Sequence, residues 1–180
     1  MHIKSLLLSV AATAFAVSAL AEDAGSRSFY IAPGGFTSHG TSSLAAGVAW
    51  PLSWRYAAGG IGLSAQVEGV LSLWRAPQVT GERKNFVQVA LLPVLRLHPG
   101  SSPFFAELGV GPSFTNDVYT SRRKTFSTRF NFYDMVGAGV ALGANREHEI
   151  GVRLVHVSNA GIKHPNPGEN FLLLRYAHSF

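Results

Sequence analysis

The sequence places a histidine two residues before a serine, in His156-Val157-Ser158. On one strand, residues so spaced lie about 6 to 7 Å apart at the backbone and on the same side. The two side chains can lean together into a hydrogen bond, and the imidazole can take the hydroxyl proton as the serine oxygen attacks an ester. Polar residues are common where a strand leaves a membrane, so this spacing needs support from its neighbours. Asp134 interrupts an otherwise apolar alternation of Phe130, Phe132, Val136, Ala138, Val140 and Leu142, where a charge is costly. Strand pairing symmetric about a turn centred near Asn145 sets Asp134 opposite His156. Pairing about Lys163 brings Asn170 beside His156 from the other side. The expectation is a polar row of Asp134, His156 and Asn170 across three strands, and a slip of one residue would reverse its parity.

Such a row requires a sheet, and the alternation along the chain supplies one. From Ile61 to Trp74 the odd positions are almost all apolar, while the even ones include Ser64, Gln66, Glu68 and Ser72. The pattern recurs from Val87 to Leu97, from Phe104 to Gly111, from Phe130 to Leu142, from Glu149 to Ser158 and from Asn170 to Phe180. Two weaker segments, Ser28 to Phe36 and Leu44 to Leu52, bring the expected count to eight. Several are long enough for a tilted transmembrane strand, which needs about 9 to 11 residues. Glu68, Arg96, Glu107, Arg153 and Arg175 all fall on the less apolar face. In an eight-stranded antiparallel transmembrane β-barrel they would fill a narrow interior and pair there; in a soluble sandwich the same face would be solvated.

The ends of the sequence favour the barrel. Met1, His2 and Lys4 precede an apolar run from Leu6 to Leu20 that closes in Ala19-Leu20-Ala21. This reads as a secretory signal peptide over residues 1–21, too short to span a bilayer as a helix. Residues 22–180 are then one outer-membrane barrel domain, ending on the aromatic Phe180. The expected location is the outer membrane of a Gram-negative cell, crossed several times. With both ends in the periplasm, the outer loops are about residues 37–43, 75–84, 115–126 and 159–168, and the inner turns lie near 51–58, 99–103 and 143–147. The outer set carries Arg75, Arg83, Lys84, Arg122, Arg123, Lys124 and Lys163 against Glu82 and Asp117. A basic rim of this kind suits a phosphorylated glycolipid in the outer leaflet.

The segment Ser158-Asn159-Ala160-Gly161-Ile162-Lys163-His164-Pro165-Asn166-Pro167-Gly168-Glu169-Asn170, with His156 before it, resembles the PagL-type lipid A 3-O-deacylases. The dense match covers about fifteen residues, and Asn131-Phe132-Tyr133-Asp134 with Gly137-Ala138-Gly139 looks like a second, shorter family segment. The resemblance implies an outer-membrane eight-stranded barrel that hydrolyses the ester-linked 3-O hydroxyacyl chain of lipid A in lipopolysaccharide. It implies Ser158 as nucleophile and His156 as general base. Asn166 and the backbone amide of Gly161 would hold the oxyanion, and Asn159 would shape the loop. The family's acidic partner falls where this chain has Asn170, with Glu169 one position early. Either Glu169 reaches the imidazole or Asn170 orients it without charge; Asp134 is the supporting alternative.

Cysteine is absent, which excludes thiol nucleophiles, disulfides and thiolate metal sites. No G-x-S-x-G elbow, H-E-x-x-H, Walker loop or dinucleotide-binding glycine pattern occurs, and His148, His164 and His178 are scattered without metal-ligand spacing. No cofactor, no metal and no nucleic acid are expected. The expected partners are lipopolysaccharide and outer-membrane lipid, with a homodimer left open. The competing readings are a non-enzymatic adhesin or envelope-stabilising barrel and a lipid A acyltransferase.

Overall fold

The computed structural model describes residues 26–35 and 40–180. The expected signal peptide lies outside these residues, as do Phe36 and part of the first outer loop. The described residues form eight strands: β1 (Ser28–Gly35), β2 (Ser42–Ala58), β3 (Ile61–Pro77), β4 (Arg83–Pro99), β5 (Phe104–Thr115), β6 (Phe130–Leu142), β7 (His148–Ser158) and β8 (Glu169–Ser179). Each pairs antiparallel with the next in sequence, and β8 closes on β1, with Ser28 opposite Ser179. Closure leaves no unpaired sheet edge.

Side chains alternate between the wall's two faces, as period-two patterning requires. Phe29, Ile31, Leu71, Leu73, Val89, Leu91, Leu108, Val110, Val152, Leu154 and Leu174 stand exposed on the exterior. So continuous an apolar exterior around a closed barrel is suited to lipid and unsuited to water.

The interior is polar toward the end that carries the short turns. Arg153 grips Glu68 through both terminal nitrogens, at 2.7 and 2.8 Å, and reaches Glu107 through Nε at 2.7 Å. Arg96 joins Glu107 to Glu149, and Arg175 adds a second cation to Glu149 at 2.7 Å. Of the charges singled out in the sequence, Glu68, Arg96, Glu107 and Arg153 are thus paired with one another across the lumen, whereas Arg175 pairs with Glu149, which the sequence did not single out. Toward the long-loop end an aromatic layer takes over. The Trp74 ring lies 4.9 Å from Phe171 and 5.4 Å from Tyr119, which also packs on Phe86 and Phe126. Tyr119 and Phe126 belong to the loop between β5 and β6, which folds into the barrel mouth.

Two boundaries differ from the sequence expectation. Residues 51–58 are strand, not inner turn. Pro51, lacking an N–H, marks an irregularity where the register shifts between Pro51 and Arg55, and pairing then resumes to Ala58 opposite Ile61. The turn is Gly59-Gly60, both at positive φ (58° and 79°), as a two-residue hairpin of primed type demands. At the other end, β3 and β4 stay paired as far as Pro77 and Arg83, which shortens the second outer loop.

Candidate active site

Three neighbouring strands set the polar row. Asp134 on β6 is opposite His156 on β7, and His156 is opposite Asn170 on β8, the registers expected from turns centred at Asn145 and Lys163. Outward parity puts all three on the exterior face, near the long-loop end. There His156 Nδ1 lies 2.6 Å from Asn170 Oδ1. An amide oxygen only accepts, so this contact places the imidazole hydrogen on Nδ1 and the lone pair on Nε2. Ser158 follows on the same parity, opposite Phe132 at the last pair of the β6–β7 ladder, and its side chain is largely buried. Below the row runs an open groove lined by Leu108, Val110, Val136, Leu154 and Leu172, which reaches Asp134, His156 and Asn170 at its polar end.

Glu169 does not reach the imidazole. Parity on β8 turns it inward, where its buried carboxylate accepts from Tyr119 Oη at 2.7 Å and from Lys124 Nζ at 3.2 Å. Lys124 is accordingly part of the barrel mouth and not of the solvated basic rim, whereas Arg122, Arg123 and Lys163 remain exposed. Burial, foremost, pushes the Tyr119 phenol above its ordinary pKa, and the neighbouring Glu169 carboxylate adds to this.

The loop after Ser158 is organised by Asn159. Its Nδ2 donates to Ser127 Oγ, Thr128 Oγ1 and the Lys163 carbonyl, at 2.9, 3.1 and 2.8 Å. Its Oδ1 accepts the Gly161 amide at 3.0 Å, so the N–H expected to face an oxyanion is engaged within the loop. The Asn159 backbone amide donates to Asn166 Oδ1 at 3.0 Å, so the Asn166 side chain is oriented by the loop through its oxygen. Ile162 N closes a tight turn on the Asn159 carbonyl, and Ala160 and Gly161 both take positive φ, 52° and 79°. For Ala160 that conformation costs about 1 to 2 kcal/mol, strain of the kind that collects beside functional groups.

Nothing in the residue types or spacing around Tyr119 and Gly168 marks either as part of this site. Gly168 has φ +60°, and a Cβ there would lie 2.6 Å from His156 Cε1, so its backbone packs against the imidazole. Its only sequence signal is its place in the Pro-Asn-Pro-Gly run.

A family model described as lipid A 3-O-deacylase (PagL) matches residues 42–179. Among characterised proteins, a lipid A deacylase PagL of Bordetella bronchiseptica is 35% identical over 94 residues, 52% of this chain and 50% of the relative. A lipid A deacylase PagL of Pseudomonas aeruginosa is 32% identical over 88 residues, 49% of each chain. The chain thus spans about half the length of the curated relatives it matches. The crystal structure of the outer membrane enzyme PagL superposes with a TM-score of 0.74 at 22% identity, covering 85% of this chain and 99% of that one; this likeness bears on the fold alone. With a match that runs from β2 through β8 and includes the whole polar row, the chain belongs to the lipid A 3-O-deacylase (PagL) family.

Proposed function

We propose that the protein is an outer-membrane lipid A 3-O-deacylase that uses Ser158 as nucleophile and His156 as general base. The observation that carries this reading is the 2.6 Å contact between His156 Nδ1 and Asn170 Oδ1, which frees Nε2 on a face where an ester can approach from lipid. Nε2 takes the Ser158 hydroxyl proton while Oγ bonds to the acyl carbonyl carbon. The carbonyl oxygen becomes an oxyanion, to which Asn166 Nδ2 donates. As the carbonyl re-forms, the bond to the sugar 3-oxygen breaks and that oxygen takes the proton from Nε2. Water, deprotonated by the same nitrogen, then releases the hydroxyacid from Ser158.

The same surface supports a site open to the outer leaflet. The apolar groove ending at His156 runs along the exterior wall, so an acyl chain can lie against Leu108, Val136 and Leu154 without leaving the bilayer. Exposed Arg122, Arg123 and Lys163 near the outer rim offer charge to the phosphates of a lipopolysaccharide headgroup.

Mass spectrometry of lipid A from cells expressing the protein, or its Ser158→Ala variant, tests the proposal. Wild type should lower the mass by one hydroxyacyl group and Ser158→Ala should not. A mass increase would mean acyl transfer, and no change with wild type would leave a non-enzymatic barrel.

A further inference from the structure

We infer that Lys124, acting with Tyr119 and Glu169 inside the barrel mouth, positions the His156 imidazole on the outside through the backbone of Gly168 and Asn170. This rests on the proposed role of His156 as base.

The imidazole is held on two edges. Asn170 Oδ1 fixes Nδ1, and the Gly168 backbone packs closest to the neighbouring Cε1, where a Cβ would stand 2.6 Å from Cε1, 3.1 Å from Nε2 and 3.6 Å from Nδ1. Both supports flank Glu169, which faces the other way. Glu169 Oε1 accepts the Asn170 amide at 3.1 Å and Lys124 Nζ at 3.2 Å, while Oε2 accepts Tyr119 Oη at 2.7 Å. Lys124 Nζ also donates to the Gly168 carbonyl at 2.7 Å. One ammonium group thus ties down Gly168, which packs on the ring, and the carboxylate that holds the backbone of Asn170, which contacts Nδ1.

Stability alone is a poor reason for this arrangement. The Glu169 side chain is 1% exposed and that of Lys124 12%, and desolvating such a pair offsets much of its attraction. Tyr119 is itself fixed by packing on Trp74, Phe86 and Phe126 and by a 2.7 Å hydrogen bond with Thr41 Oγ1. The β5–β6 loop is therefore a wall of the site although none of these three side chains faces the substrate groove. A displacement of about 1 Å in a catalytic group can cost about 100-fold in rate, so contacts that hold the backbone on both sides of Glu169 bear on the rate.

The test uses the purified full barrel in detergent and the rate at which an alkyl fluorophosphonate phosphonylates Ser158, followed by intact mass. Oγ bonds to phosphorus, fluoride leaves and His156 takes the proton, so this readout needs the base but not lipid A. Lys124→Met should slow labelling at saturating reagent by about 10- to 100-fold, leave half-saturation unchanged and keep heat-modifiable migration on gels. Lys124→Arg should recover most of the rate. Gly168→Ala should also slow it, because the added methyl displaces the ring. A folded Lys124→Met protein labelled within twofold of wild type overturns the inference, as does a change confined to half-saturation. Should Lys124→Met fail to fold, Gly168→Ala labelled at the wild-type rate overturns it equally. If wild type labels at Ser158 while cellular lipid A keeps its mass, only the substrate reading falls. If wild type labels no faster than Ser158→Ala, the serine mechanism and this inference fall together.

Discussion

Asn170 Oδ1 sits 2.6 Å from His156 Nδ1 across the β7–β8 ladder, so the imidazole is oriented by an amide where a carboxylate would add charge. The amide selects the tautomer and the ring angle but would do little for an imidazolium formed in the proposed reaction. Asn170→Ala should therefore lower kcat by about two to four powers of ten with KM little changed. Asn170→Asp keeps the acceptor and adds charge, and should match or exceed the wild-type rate. Initial rates of hydroxyacid release check both. Normal turnover in Asn170→Ala together with loss in Asp134→Ala would transfer the orienting role to Asp134, on the other side of the ring.

The basic rim gives a second test, which the structure sharpens by removing Lys124 from it. Neutralising Arg122 and Arg123 as the double Gln variant should raise KM for bis-phosphorylated lipid A several-fold and leave kcat near wild type. Added salt should narrow the difference, because interactions between exposed charges are screened over about 8 Å at physiological ionic strength. Equal KM values across a salt series would sink the electrostatic part of the proposal.

Much of this architecture was legible because a barrel wall obeys a period of two. Parity alone separated Asp134, His156 and Asn170 from Arg153 and Arg175, and turn symmetry about Asn145 and Lys163 supplied their register. Parity likewise favours Asn170 over Glu169, against the chemistry, which favours a carboxylate as the orienting partner. Contacts made by irregular backbone were hidden. Tyr119 and Lys124 are 50 and 45 positions from Glu169, and no periodicity in the β5–β6 loop says that it folds inward. Pro51 misled for a related reason: a proline in a barrel strand is tolerated where the register shifts, as it does between Pro51 and Arg55.

Alkaline titration probes the inward fold of that loop. The Tyr119 phenol is raised above its ordinary value of 10.0 by burial, with Glu169 adding to it. A raised folded-state pKa means that the folded protein holds this proton when the unfolded chain has lost it. The associated stability is whole below about pH 10 and declines as pH rises from there toward the folded value. In the difference absorbance at 295 nm between wild type and Tyr119→Phe, no phenolate signal should develop up to about pH 10.5 while the barrel stays folded. A signal with a midpoint near 10 would place the ring in water and remove the anchor of Glu169.

The interior ion pairs give the last prediction, and its sign depends on which partner is removed. Arg153 faces two carboxylates, Glu68 and Glu107, all three buried, and its guanidinium also lies 5.0 Å over the Tyr30 ring. Arg153→Met leaves both carboxylates without their shared cation. Glu68 then keeps Gln66 at 2.6 Å and Glu107 keeps Arg96 at 3.0 Å, so compensation is partial. Breaking a buried pair in this way costs about 3 to 5 kcal/mol, which should appear as a lower urea midpoint for the detergent-solubilised barrel. Adding Glu68→Gln to Arg153→Met removes one stranded charge and should recover part of the loss, a coupling that a double-mutant cycle measures. Deacylation per folded molecule should stay within about twofold of wild type. Arg153 lines the lumen opposite Gly137, whereas His156 and Ser158, the proposed reacting pair, take the outward parity of the same strand. An unchanged urea midpoint in Arg153→Met would mean that water enters the lumen and solvates the carboxylates, and the interior would then be a hydrated channel in place of a packed ionic core.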